Sequence, residues 1–140
     1  MIEWYKKVVF QNYANFNGRA RRSEYWYFLL FNIAIFFLVA IIGAILGSLF
    51  NDVMTGLVIA YVFILLYNLA TLIPSIAVLV RRLHDVNKSG WFYFVAFIPL
   101  VGVIWLIILL CSEGTSGNNE YGSDPKNEVE GIDEIGIQEA

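Results

Sequence analysis

The sequence predicts an all-α integral membrane protein: three hydrophobic helices, the third with a re-entrant alternative turning at Pro99–Gly102, plus an N-terminal interfacial amphipathic helix. Three observations carry that prediction. Hydrophobic residues make up 59% of the 140 residues and charged ones only 15%, against roughly 25% charged in soluble domains. The mean hydropathy is +0.65. Three runs, 25–50, 57–80 and 91–111, contain no Asp, Glu, Lys or Arg, and each exceeds the ~18 apolar residues that read as a spanning helix. A soluble fold would have to bury all three in a core with hardly any polar shell, which a chain of this length does not supply.

The interfacial helix is placed at 2–16. Ile2, Tyr5, Val9, Tyr13 and Phe16 fall within about 80° of one another at about 100° per residue, a narrow apolar stripe suited to lying along a membrane surface. Trp4 and Phe10 lie off the stripe, so the alternative is a helix packed on the end of the bundle.

The first run begins after five cationic side chains, Lys6, Lys7, Arg19, Arg21 and Arg22. It starts too late and is too long to be a cleaved signal, and is expected to stay as an anchor. On one of its faces Ala40, Gly43, Ala44 and Gly47 line up, with Gly43 and Gly47 in the spacing that lets another backbone approach closely. Asn32 lies near the same side. In the second run Tyr61, Asn68, Thr71 and Ser75, with Arg82 beyond its end, fall within about 80°, a polar stripe that avoids lipid by facing another helix. Hydrogen bonding between helices is the leading explanation of Asn68, Thr71 and Ser75, and a polar pathway the other. Pro74 is expected to kink this helix.

The third run is interrupted by Pro99-Leu100-Val101-Gly102. As one continuous helix kinked at Pro99 it would cover about 31 Å and cross a bilayer. As two half-helices turning there it would be re-entrant, which requires packing against protein. The continuous crossing is favoured.

Charge divides the chain. Residues 1–111 hold eight Lys/Arg against four Asp/Glu, whereas 112–140 hold one against eight. The cations flank the first run and separate the second from the third, and the connector at 51–56 has none. The positive-inside rule therefore predicts a cytoplasmic N-terminus and 81–90 loop, with the connector outside. A continuous third crossing puts the C-terminus outside, and a re-entrant one returns it to the cytoplasm.

Two polar segments border that cytoplasmic face, FNGRARRSEYW at 16–26 and RRLHDVNKSGW at 81–91. They bring Arg19, Arg21, Arg22, Arg81, Arg82 and Lys88 together over two carboxylates, Glu24 and Asp85. Six cations against two anions leave an unneutralised basic patch, and arginine's planar fork suits phosphate or carboxylate. Anionic lipid headgroups, or an acidic partner, are the expected ligands. Asp85 is expected to neutralise Arg81 or Arg82, with Glu24 and His84 as further local partners. His84 beside Asp85 invites an acid–base or metal assignment, but neighbouring side chains point apart on a helix and there is no second histidine. Metal, cofactor and nucleic-acid binding are not expected. Cys111, the single cysteine, is expected to be a buried helix-end residue.

The Gly-rich block at 112–126, with GTSGNNEYG from Gly114, lacks the Lys-Ser/Thr ending of a phosphate loop and reads as a turn-rich extension anchored by Tyr121. The domain is expected to cover 1–126. Beyond it, 127–140 is acidic and predicted to be disordered, with folding back over the basic patch as an alternative.

GRARRSEYW before the first run, RRLHDVNKSGW before the third and GTSGNNEYGSDP after it resemble the three signature blocks of the DUF805 family of small bacterial inner-membrane proteins. The resemblance covers about residues 1–126. Ser123 stands where the family ending YGPDP has proline, which implies a looser turn. The family brings no biochemical activity to carry over. It implies a bacterial cytoplasmic-membrane location and one shared design for the three blocks, and the third block joins the others only if the C-terminus is cytoplasmic.

A non-enzymatic membrane module with an Arg-rich cytoplasmic face is therefore the leading functional reading. A subunit of a transport or channel assembly, self-associating through the glycine face, comes next. An enzyme acting on a lipid phosphate through His84 and Asp85 is third.

Overall fold

The computed structural model describes residues 2–127, so the acidic tail beyond lies outside the described residues. The described elements are helical: α1 (Ile2–Lys6) continued by a π-helical turn (Lys7–Gln11), α2 (Arg22–Leu49), α3 (Val53–Asp85), a 3-10 helix (Gly90–Phe97) and α4 (Val101–Cys111). Among them α2 and α3 are long and apolar enough to cross a membrane. At 1.5 Å per residue they run about 42 and 50 Å, well beyond the ~30 Å of a bilayer's hydrocarbon. Only 6% and 17% of their most apolar stretches are buried. A soluble protein's core helix would be mostly covered, so these outward faces are made for hydrocarbon.

The hairpin between α2 and α3 is made locally. Asn51 takes a left-handed conformation (φ 50), Asp52 N–H closes on Gly47 O at 3.0 Å, and the Asp52 carboxylate then caps α3 by accepting from Met54 N–H at 3.0 Å. Small residues set the approach of the two helices beyond the turn. A Cβ at Gly43 would lie 2.6 Å from that of Ala60, and one at Gly56 would lie 2.7 Å from Gly47 Cα. Gly43 and Gly47 thus pack α2 on α3 within one chain.

Farther along, Tyr67 Oη donates to Asn32 Oδ1 at 2.7 Å and stands 3.1 Å from Tyr5 Oη. The polar stripe behaves otherwise than expected. Asn68 donates to Ile64 O, Thr71 to Tyr67 O and Ser75 to Thr71 O, each to its own helix one turn back. In an apolar setting the backbone carbonyl is the nearest acceptor, so the bridge between helices falls to Tyr67, whose longer side chain reaches across.

Helix α3 runs unbroken through Pro74. Proline has no N–H for the carbonyl four residues earlier, Ala70 O, and Tyr13 Oη donates to that oxygen at 2.6 Å. Tyr13→Phe should cost about 1 kcal/mol. In a Pro74→Ala background the same change should cost nothing, because the substituted alanine restores the backbone donor. Denaturation midpoints of the four chains in detergent test this as a double-mutant cycle.

The N-terminal helix is shorter than predicted and ends at Gln11. Its π turn widens the repeat, which carries the buried face off a regular 100° stripe and onto Val8. Val8 is fully buried against Phe28 and Val78, and the Tyr5 ring lies 4.4 Å from that of Phe31. Packing on the bundle thus describes this segment, with Phe10 left outside at 78% exposure.

The third apolar run is not one continuous helix. Leu100 adopts φ 64, and the chain doubles back between the 3-10 limb and α4. Phe92 meets Trp105 at 5.8 Å between ring centroids, and a Cβ at Gly102 would run into Val95 O. Each limb is only about 16 Å long, half of what a crossing needs. Continuous crossing is therefore corrected to a helical hairpin whose two ends lie on one side.

Candidate functional site

Both ends of that hairpin and the start of α2 meet the last turn of α3, where the polar residues of the chain gather. Arg81 to Asp85 were expected in a loop, yet they continue α3. A helix end leaves carbonyls without donors, and here other segments supply them. Ala20 N–H donates to Arg81 O at 3.0 Å, and Thr115 N–H to Asp85 O at 2.8 Å. Asn119 Nδ2 donates to His84 O at 2.9 Å.

At the centre stands Asp85, 4% exposed. Its Oδ1 accepts from Arg19 Nε at 3.0 Å, and its Oδ2 pairs with Arg82 Nη1. Arg19 continues to Gly117 O at 2.6 Å and to Thr115 O, while Arg82 continues to Leu110 O and Ser112 O. Arg81 Nη1 donates to Glu24 Oε1 at 2.7 Å, and Lys7 Nζ lies 3.2 Å from Glu24 Oε2. The third block fits only because Gly114 has no side chain, as a Cβ there would overlap the Asp85 carboxylate.

Three buried guanidiniums, Arg19, Arg81 and Arg82, face two buried carboxylates, Glu24 and Asp85, leaving one positive charge over. The C-termini of α3 and α4 both point into this hub, and each carries about half a negative charge. Arg82 on Leu110 O, Trp26 Nε1 on the same oxygen at 3.3 Å and Arg22 Nη1 on Cys111 O at 3.3 Å complete the α4 end. The α2 N-terminus, with the opposite sign, cancels part of that negative charge, so hydrogen bonds to the helix-end carbonyls and the net dipole stabilise the surplus cation in part, and these three arginines act as an internal frame.

Of the six cations predicted to form a patch, Arg22 and Lys88 are exposed and Arg21 is half-buried. Arg22 also lies 3.3 Å from Glu113, which Lys126 pairs from the other side. His84 makes no ion pair among the described residues. Its Nδ1 is 3.1 Å from Gly18 O, and its ring stacks on Tyr121 at 3.9 Å and 5°. The expected anchoring role of Tyr121 is this stack. With His84 Nδ1 on Gly18 O and Asp85 held by two arginines, the two are not paired with each other. Cys111, expected buried, is exposed, because hydrogen bonds to backbone oxygens rather than side-chain packing close that end of α4. Trp26 and Thr115 belong to the hub although neither charge patterning nor periodicity singled them out, Lys7, counted only among the flanking cations, joins through Glu24, and Asn119 arrives with the third block.

Asp124 closes the third block by accepting from Lys126 N–H at 2.9 Å and Gly117 N–H at 3.1 Å. The Lys126 bond chiefly, then the Gly117 bond and the charges of Arg19 and Lys126, hold its carboxyl below the ordinary carboxylate value against the opposing effect of burial. A depressed carboxyl stabilises the fold above its unfolded value, near 3.9, and loses that contribution as pH falls through the folded value. Hydrogen exchange at 114–124 should therefore stay slow down to about pH 4 and rise below it, and Asp124→Asn should remove the transition.

The family described as "Protein of unknown function (DUF805)" matches residues 13–123. Inner membrane protein YhaI of Escherichia coli strain K12 is 44% identical over 125 residues, 89% of this chain and 97% of that protein. Inner membrane protein YhaH of the same strain is 37% identical over 130 residues, 91% of this chain and 99% of that one. No solved structure matches. The matched span takes in the first two blocks entire and most of the third, with every ionised partner of Asp85 and Glu24 except Lys7, and the chain belongs to the DUF805 family.

Proposed function

We propose that this protein is a multi-pass, non-enzymatic module of the bacterial inner membrane. Helices α2 and α3 cross the bilayer, the N-terminus and the hub are cytoplasmic, and the hairpin at 90–111 enters from that side and returns. The hub fixes a short polar cap against the membrane, and Arg21, Arg22 and Lys88 present its remaining cations to anionic headgroups. One observation supports this best: the buried arginines are matched by buried carboxylates and helix ends, whereas Arg21 and Lys88 have no carboxylate partner among the described residues and Arg22 shares the exposed Glu113 with Lys126.

Each cation near an anionic surface contributes about 1 kcal/mol. The test reconstitutes the chain into nanodiscs of mixed phosphatidylcholine and phosphatidylglycerol and measures the lipid retained around it by native mass spectrometry. Arg21→Gln, Arg22→Gln and Lys88→Gln together should abolish the enrichment of phosphatidylglycerol and lower the stability only by the small contribution of the exposed Arg22–Glu113 pair. Equal enrichment around the triple variant would rule the reading out.

A further inference from the structure

A cavity of about 210 Å³ lies between the N-terminal segment and the third block, lined among others by Lys7, Asn12, Asn17, Arg19 and Arg81. Its wall contains three cations and no carboxylate. Arg81 is 3% exposed, and its Nη1 is taken by Glu24. Its Nε and Nη2 are buried and have no hydrogen-bond partner. Such unpaired buried donors are rare, because each costs its full desolvation. The two atoms form one edge of the planar guanidinium, the fork that binds two oxygens of a phosphate or carboxylate side by side.

Charge selects among oxyanions. Lys7, Arg19 and Arg81, with Arg82 behind them on the shared Asp85, sum to four positive charges, and Glu24 and Asp85 remove two. The helix-end carbonyls beside Arg82 offset part of what remains, and the surplus suits a singly charged tetrahedral phosphate, as in a phosphodiester or the monoanion of inorganic phosphate. At about 30 Å³ per water the cavity has room for that group with some hydration. The asparagine amides at the rim are uncharged polar groups suited to its remaining oxygens.

We propose that this cavity is a binding site for a singly charged phosphate group, with the free edge of Arg81, which the surrounding side chains must part to uncover, as its fork and Lys7 as its second cation. The inference rests on the proposed membrane orientation only for the source of the phosphate, a lipid headgroup or the free ion.

The test uses the full chain in phosphate-free maltoside detergent at pH 6 and follows the thermal midpoint. Inorganic phosphate should raise it saturably, and potassium chloride at equal ionic strength should not. Lys7→Gln, at a half-exposed position, should weaken the apparent affinity about tenfold, the loss of one charge-assisted hydrogen bond. Arg81→Lys keeps a charge beside Glu24 but loses the fork, so it should fold and lose the response. The triple change of Arg21, Arg22 and Lys88 to glutamine should leave phosphate affinity within about twofold, which separates this site from the exposed face. Competition by short-chain phosphatidylglycerol assigns the bound group to a headgroup, and its absence assigns it to the free ion. Equal effects of phosphate and chloride, or an undiminished response in both Lys7→Gln and Arg81→Lys, would overturn the site.

Discussion

Asp85→Ala should cost about 3–5 kcal/mol, the penalty for stranding buried charge. Arg19 and Arg82 both bind this carboxylate within the hub, and its removal leaves two guanidiniums facing each other with little access to water. The same change releases the third block, since Arg19 also holds Gly117 O and Thr115 O. The expected result is a large fall in the denaturation midpoint together with rapid cleavage at Lys126 by trypsin. Asp85→Asn should be intermediate, because the amide retains one acceptor. A midpoint close to that of the unaltered chain would mean that the three blocks are held by something else.

The second large effect concerns the other end of the helix pair. Gly56→Ala sets a methyl against the Gly43 carbonyl and the Gly47 backbone, and backbone cannot turn aside as a side chain can. Overpacking of this kind costs about 3 kcal/mol, and here it should splay α2 from α3. Gly43→Ala meets mainly the Ala60 methyl, 2.6 Å away, so Ala60→Gly should recover most of its cost. Unfolding titrations in mixed micelles distinguish the two cases. Rescue of Gly56→Ala by Ala60→Gly would show that the close approach is not backbone against backbone.

Much of the fold was legible because hydrocarbon imposes so strong a composition. Uninterrupted apolar runs mark α2 and α3, and the spacing of Gly43 and Gly47 marks the face on which they meet. Ambiguity began where the chain leaves that environment. Pro99 suits either a kinked crossing or a hairpin, and the outcome depends on contacts across the turn, Phe92 with Trp105 and Val95 with Gly102. Arg81 to Asp85 looked like a loop because they are polar. They stay helical because Ala20, Thr115 and Asn119 cap their carbonyls, and Thr115 and Asn119 lie some thirty positions or more away.

The candidate site was legible as a list of residues and not as an arrangement. Two arginine pairs and two acids pointed to one cluster, but residue counts omit backbone carbonyls and helix dipoles. Without those a surplus of cations reads as a surface patch. With them Arg19, Arg81 and Arg82 turn inward, and Arg21, Arg22 and Lys88 remain for the surface. Tyr13 on Ala70 O and Lys7 on Glu24 were beyond reach for the same reason, since each depends on where an early segment docks.

Labelling from one side of the membrane tests the shared hub most directly. Single cysteines at Asn17, Asn51 and Ser116, each in a Cys111→Ser background, are exposed to an impermeant maleimide in intact spheroplasts and again after permeabilisation. Asn17→Cys and Ser116→Cys should both be shielded until the membrane is opened, with Asn51→Cys reactive from the start. Reaction of Ser116→Cys in sealed spheroplasts, with Asn17→Cys still shielded, would put the first and third blocks on opposite faces and contradict the account.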